Sequence, residues 1–141
     1  MASIRILIVD DVASMRAFVK ASIRSSFQKN IELDEAGSGD AAMTALRSKR
    51  YDLVLCDWHM PGMTGGQLLE WMKGEEKLKE ILFIMMTAHS SKDVVAEAIR
   101  AGVNDFIAKP ITVDILCKKL AAHLRKIEAK KTDTAEVEDE A

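Results

Sequence analysis

Two regimes of hydrophobic patterning alternate along this chain. Short runs that are apolar at nearly every position give way to stretches where apolar residues return every three or four places. The first run, Ile4-Arg5-Ile6-Leu7-Ile8-Val9, stops at Asp10-Asp11. Val12, Met15, Phe18, Val19 and Ile23 follow at helical spacing. A second, shorter run over 31–36 alternates apolar and acidic residues, as a half-exposed edge strand does. Gly37-Ser38-Gly39 breaks it, and Ala41, Ala42, Ala45 and Leu46 mark a helix of small residues. Leu53, Val54, Leu55 and Cys56 form the third run, which ends at Asp57. Met60-Pro61-Gly62 then signals a turn, and Thr64 with Gln67 three places on fits a capping box for the helix carrying Leu68, Leu69 and Met72. The fourth run spans 81–86 and ends at Thr87. Ser90 to Asp93 opens a helix bearing Val94, Val95, Ala98 and Ile99, with Gly102 suited to its C-terminal cap. The fifth run, 104–108, ends at Lys109-Pro110, and Thr112 opens a last helix with Leu116, Leu120, Leu124 and Ile127 on one face.

Runs apolar at every position suit strands covered on both faces, which is the situation in a parallel sheet packed between helices. Five strand–helix units with short connections predict a single α/β domain with right-handed crossovers. Five units are too few for an eight-stranded barrel, which leaves an open, doubly wound parallel sheet in a three-layer sandwich. Chemistry in such a sheet gathers at the carboxyl ends of the strands.

Composition adjusts this picture little. The chain has 141 residues, 48% hydrophobic and 30% charged, ordinary values for one globular domain. No apolar run approaches the roughly 20 residues needed to cross a bilayer, and the N-terminus lacks a signal-peptide pattern, so a cytoplasmic protein without membrane insertion is expected. Cys56 and Cys117 sit in apolar patterns without metal-ligand spacing and are expected to be reduced. The formal charge of −2 hides five acids and no base in 132–141, leaving 20 bases against 17 acids elsewhere. That surplus is too small and too dispersed to indicate nucleic-acid binding. The expected division is a domain over 1–127 and an acidic, disordered tail over 128–141.

The polar residues at the strand ends carry the candidate chemistry. Asp10-Asp11, Asp57, Thr87 and Lys109 each follow an apolar run, and a parallel sheet brings such ends to one edge. Converging carboxylates raise one another's pKa unless a cation neutralises them. A hard divalent ion with oxygen ligands, such as Mg²⁺, does so, and Lys109 adds a point charge able to hold an anion. Acids, a metal, a lysine and a hydroxyl together suit a phosphoryl group.

At these residues the chain resembles the receiver domains of two-component response regulators, and is similar to the stand-alone chemotaxis regulators among them. The resemblance runs from about residue 3 to 127. It implies a flavodoxin-like fold with strand order 2-1-3-4-5. It implies that Asp57 accepts a phosphoryl group from the phosphohistidine of a histidine kinase or histidine phosphotransfer protein. By the same resemblance, Mg²⁺ is held by Asp10, Asp11, Asp57 and the backbone carbonyl of His59. Lys109 grips a phosphoryl oxygen, Thr87 reorients to bond another, and the Lys109–Pro110 bond is cis. Phe106 fills the space Thr87 vacates, remodelling the face of the fourth helix, fifth strand and last helix where a downstream target protein docks. His59, Ala88 and His89 occupy positions that tune the lifetime of the phosphorylated state. Chemotaxis and the flagellar motor switch are the pathway and target the resemblance brings with it. Phe106 stands where the chemotaxis regulators typically have Tyr, and that weighs against the motor switch. Thr64 stands where the family often has Asp.

The expected protein is thus a monomeric signalling domain, an enzyme only toward its own phosphorylation and dephosphorylation. A phosphorelay intermediate or phosphate sink is the alternative role. A haloacid-dehalogenase-type phosphatase would need Asp-x-Asp after the first strand, where this chain has Asp10-Asp11-Val12. A flavin carrier would need a Ser/Thr/Gly-rich phosphate loop there.

Overall fold

The computed structural model describes residues 3–28 and 30–140, with side chains through residue 132. Five strands alternate with five helices: β1 (Ile4–Val9), α1 (Ala13–Ser26), β2 (Ile31–Ala36), α2 (Gly39–Ser48), β3 (Leu53–Asp57), α3 (Gly65–Lys73), β4 (Leu82–Thr87), α4 (Lys92–Ala101), β5 (Asp105–Ala108) and α5 (Val113–Glu140). The sheet is parallel throughout, in the order β2-β1-β3-β4-β5. Every residue of β3 is buried, as an unbroken apolar run at the centre of the sheet requires. The alternating β2 lies at the edge, with only Leu33 and Ala36 buried.

The two-residue period of the strands divides the core into two layers. Ile4, Ile6 and Ile8 of β1, with Leu53, Leu55, Ile84 and Met86, face α1 and α5, where Val19, Ile23, Leu116, Leu120 and Leu124 meet them. Leu7, Val9, Val54, Cys56 and Phe83 face the other way, onto Ala42 and Leu46 of α2 and Leu68, Leu69 and Met72 of α3. Both cysteines are free; Cys56 is buried and Cys117 half-buried. Among the described residues no helix is long and apolar enough to cross a membrane.

Local signals act as expected at three helix ends. The Thr64 hydroxyl accepts from the Gln67 N–H at 3.2 Å, and the Gln67 side chain accepts from the Thr64 N–H at 2.9 Å, closing the capping box of α3. Ser91 caps α4 through the Val94 N–H. Gly102 ends α4 at φ 109°, the left-handed region that favours glycine.

Two helices show what the sequence pattern leaves open. The stripe Val12, Met15, Phe18, Val19, Ile23 is buried only at Val19 and Ile23, while Val12 and Phe18 are 49% and 38% exposed. The inward arc of α1 is narrower than the stripe because α1 packs mainly against α5 and the edge of β1. The last helix, α5, continues past residue 127 to Glu140, and Lys131 pairs with Asp52 at 3.3 Å. Residues 128–131 (Glu-Ala-Lys-Lys) are strong helix formers that extend the turn begun by the leucine stripe. The acidic side chains from 133 onward lie outside the described residues.

Candidate functional site

The site is assembled from what immediately follows each strand. Asp10, one residue beyond β1, is fully buried. Its Oδ1 accepts from the Val12 N–H at 2.9 Å and so turns the chain into α1, whose N-cap residue Val12 offers no capping side chain. Its Oδ2 accepts from Lys109 Nζ at 3.0 Å, and that ammonium lies 3.5 Å from Asp57 Oδ1. Lys109 therefore bridges two carboxylates from different strands. Asp11 is exposed at the rim, and carboxylate oxygens of Asp10, Asp11 and Asp57 lie within 4.8 Å of one another.

Burial and charge act in opposite directions here. Burial pushes the Asp57 carboxyl above its ordinary value, and nearby Asp10 adds to this; Lys109 and the His59 N–H, 3.3 Å from Oδ1, pull only part of the way back. Burial works against the Lys109 ammonium too, but the Asp10 hydrogen bond and the two carboxylate charges outweigh it and leave its pKa raised. One lysine is thus well stabilised by two acids, while the acid farther from it is under-compensated. Three carboxylates around one ammonium leave negative charge over, and the donors are all hard oxygens. That is the donor set Mg²⁺ favours, and receiver domains bind Mg²⁺ in an acidic pocket of this kind.

Thr87 ends β4 fully buried. Its hydroxyl accepts from the His89 N–H at 2.9 Å and lies 3.3 Å from the His89 carbonyl, so it is engaged by its own loop and, among the described residues, not by the carboxylates. The Lys109 N–H donates to the Thr87 carbonyl at 2.7 Å, and the Lys109–Pro110 peptide is cis, as the resemblance implies. His59 and His89 are both exposed, and their rings meet edge to face at 4.6 Å with Ala88 beside them. Phe106 is half-buried on β5, its ring centroid 4.6 Å from Lys119 Nζ.

The loop after Asp57 is held close to its own helix. Trp58 donates its N–H to the Met86 carbonyl at 2.9 Å and sets its ring edge-on to Phe83 at 6.4 Å. A Cβ on Gly65 would lie 2.6 Å from the Asp57 carbonyl oxygen and 3.0 Å from Trp58 Cα, both backbone atoms that cannot swing aside. Gly65→Ala is expected to destabilise the fold by about 1–3 kcal/mol and to shift Trp58 emission, whereas Gly66→Ala, whose Cβ meets only the Trp58 ring at 3.2 Å, costs less. Thermal unfolding of both variants checks the ranking.

Sequence reasoning passed over Arg16 and a cluster beneath Phe106. Arg16 donates to the Asp10 carbonyl at 2.7 Å and to Glu35 at 3.1 Å, fixing the turn that presents Asp10. Under Phe106, Asp105 meets Lys119 at 2.9 Å and His123 at 3.0 Å. The signal for His123 was its place seven residues after Leu116, two helical turns along the buried face.

An open parallel sheet with an acidic pocket and a lysine at its carboxyl edge defines a class of phosphoryl- and metal-binding α/β domains. Within that class the chain belongs to the response regulator receiver domain family, whose model matches residues 6–121. It is 39% identical over 117 residues to the chemotaxis protein CheY of Pseudomonas aeruginosa, covering 82% of this chain and 92% of that protein. It is 40% identical over 118 residues to the chemotaxis protein CheY-3 of Vibrio cholerae, covering 84% and 89% respectively. The chemotaxis response regulator CheY4 of Vibrio cholerae superposes with a TM-score of 0.79 at 24% identity, over 86% of this chain and 99% of that one, a likeness of fold.

Proposed function

We propose that this protein is a phosphorylation-driven signalling switch in which Asp57 is the phosphoacceptor. The observation that carries this reading is Lys109 Nζ lying between Asp10 and Asp57, beside a third carboxylate. A carboxylate oxygen of Asp57 attacks the phosphorus of a phosphohistidine on a kinase or phosphotransfer protein. The P–N bond breaks with its electron pair passing to the imidazole, and an acyl phosphate forms on Asp57. Phosphoryl transfer depends on positioning and charge stabilisation. Lys109 supplies a fixed positive charge for a phosphoryl oxygen, and the His59 N–H holds Asp57 in place. When bound by Asp10, Asp11, Asp57 and the His59 carbonyl, Mg²⁺ supplies the remaining neutralisation. The Thr87 hydroxyl releases its bond to His89 to reach the phosphoryl group, and Phe106 moves toward the space it leaves. A target protein then reads the face of α4, β5 and α5. The receiver unit ends near residue 127, within α5, and its place is the cytoplasm.

Kinship with chemotaxis proteins supports a role in motility signalling, with Phe106 tuning the choice of target. The test is incubation with acetyl phosphate and Mg²⁺, followed by intact mass and peptide mapping. One phosphoryl group on the Asp57 peptide is expected; modification elsewhere, or none, sinks the reading.

The exposed His59–His89 ring pair borders the site, through the His59 N–H at Asp57 and the His89 N–H at Thr87, and would orient or screen the water that attacks an acyl phosphate there. Replacing either with Ala is expected to change the dephosphorylation rate by several-fold, as for a group that orients or screens the attacking water. Equal loss of the phosphoryl group over time, followed by intact mass, in wild type and both variants would remove the histidines from that role.

A further inference from the structure

Phe106 is held from three directions by a cluster outside the phosphoryl site. Its N–H donates to Asp105 Oδ1 at 2.8 Å, and its carbonyl accepts from Lys119 Nζ at 2.6 Å. The same ammonium donates to Asp105 Oδ1 at 2.9 Å and stands 4.6 Å from the centroid of the Phe106 ring. Asp105 Oδ2 is 3.0 Å from His123 Nε2. His123 is only 6% exposed, and among the described residues its buried Nδ1 has no hydrogen-bond partner. A buried polar atom without a partner is unfavourable, and an apolar residue would fill that position on α5 without it. What the imidazole provides there is its bond to Asp105.

We propose that Lys119 of α5, braced by His123 through Asp105, clamps Phe106 in its half-buried outward position and so sets the threshold for switching. This rests on the reading of Thr87 and Phe106 given above. The ammonium–ring contact and the bond to the Phe106 carbonyl exist in the arrangement where the Thr87 hydroxyl is engaged by His89. A ring that moved inward would leave the ammonium without its aromatic face. The clamp therefore stabilises the unphosphorylated arrangement selectively, and only a contact that differs between two states can shift their balance. Lys119 and His123 are positioning residues: they act on the switch through Phe106 and touch no phosphoryl group. They couple α5 to the site in both directions, because whatever draws Lys119 away also favours phosphorylation.

The test measures the affinity of the full chain for beryllofluoride with Mg²⁺, a phosphoryl mimic, through Trp58 fluorescence. Wild type is expected to bind and Asp57→Asn not to. Failure of wild type to bind would overturn the receiver mechanism itself, before any comparison of variants. Lys119→Ala, a substitution by the best helix former, is expected to lower the Kd about three- to tenfold, the range of a partly desolvated cation–π contact. Lys119→Arg, which keeps the cation over the ring, is expected to restore the wild-type Kd. His123→Leu is expected to shift the Kd in the same direction by a smaller factor. In a Phe106→Ala background, Lys119→Ala is expected to change nothing. Wild-type binding with an unchanged Kd in Lys119→Ala would overturn the clamp alone. So would an equal gain with and without the Phe106 ring, since Lys119 would then act by another route.

Discussion

Asp57→Asn is expected to abolish phosphoryl incorporation from acetyl phosphate while raising the thermal stability of the metal-free protein at neutral pH. Loss of function follows from chemistry: a neutral amide lacks the anionic oxygen that attacks phosphorus, and no other carboxylate is placed as Asp57 is. Asp10 Oδ2 already carries the 3.0 Å bond to Lys109, and Asp11 lies exposed at the rim. The gain in stability follows from the site's electrostatics. Burial raises the Asp57 pKa above the ordinary 3.8, so the folded state holds its proton more tightly than the unfolded chain. A carboxyl of that kind favours folding at acid pH, and its contribution falls as pH rises through the ordinary value toward the raised one. At pH 7 the ionised group is a burden that the isosteric amide removes. The stability difference between variant and wild type should therefore shrink on acidification, and Mg²⁺ should raise the melting temperature of wild type more than that of the variant. Differential scanning calorimetry at two pH values, with and without Mg²⁺, reads all of this. A variant less stable than wild type at pH 7 would mean that Asp57 is a net structural support.

Burial and topology explain which parts of the protein were legible in its sequence. The central strands were readable because a parallel sheet covered on both faces demands apolar side chains, and Leu53 to Cys56 meet that demand without exception, while β2 at the edge showed itself by alternation. The site was readable because topology takes each strand end to one edge, so Asp10, Asp57 and Lys109 needed no sequence proximity to be joined. What a helix turns inward was less legible. Val12 and Phe18 fit the helical period of α1, yet the period says nothing of how wide an arc the neighbouring elements cover. Contacts between a strand and a helix that folds back on it were not legible at all. Asp105 and His123 lie 18 residues apart, and their meeting depends on where α5 crosses β5. The direction of the Thr87 hydroxyl is of the same kind, since a strand-end position leaves its rotamer open and the loop to His89 decides it. Periodicity and topology place residues, whereas rotamers and cross-element pairs are fixed only by packing.

Lys109→Ala is expected to be the most destabilising single change in the site, and to act on stability and chemistry together. Removing the ammonium leaves Asp10, which has no exposure, and Asp57, whose side chain is 8% exposed, facing each other without a counter-charge. Breaking a buried ion pair by deleting one partner costs about 3–5 kcal/mol, because the remaining charge stays desolvated. Lys109 is itself 17% exposed, so the lower end, about 3 kcal/mol, is expected near neutral pH without divalent cations. Its pKa is raised in the fold from the ordinary 10.5, so its stabilisation is fully present below that value and fades only as pH climbs through the raised one. The deficit of the variant should thus be undiminished at pH 7. It should narrow on acidification, as Asp57, freed of the lysine's downward pull, takes up a proton at still higher pH than in wild type. Added Mg²⁺ should recover more stability in the variant than in wild type, since the ion replaces a missing positive charge. Phosphorylation by acetyl phosphate should remain slow even with Mg²⁺ saturating, by about 10²–10³, the range for losing one preorganised charge on a developing anion. Urea unfolding at pH 5 and pH 7, each with EDTA and with Mg²⁺, separates these effects. Wild-type stability in EDTA at pH 7 would show that the two carboxylates do not need the lysine, and would remove the electrostatic basis for the site.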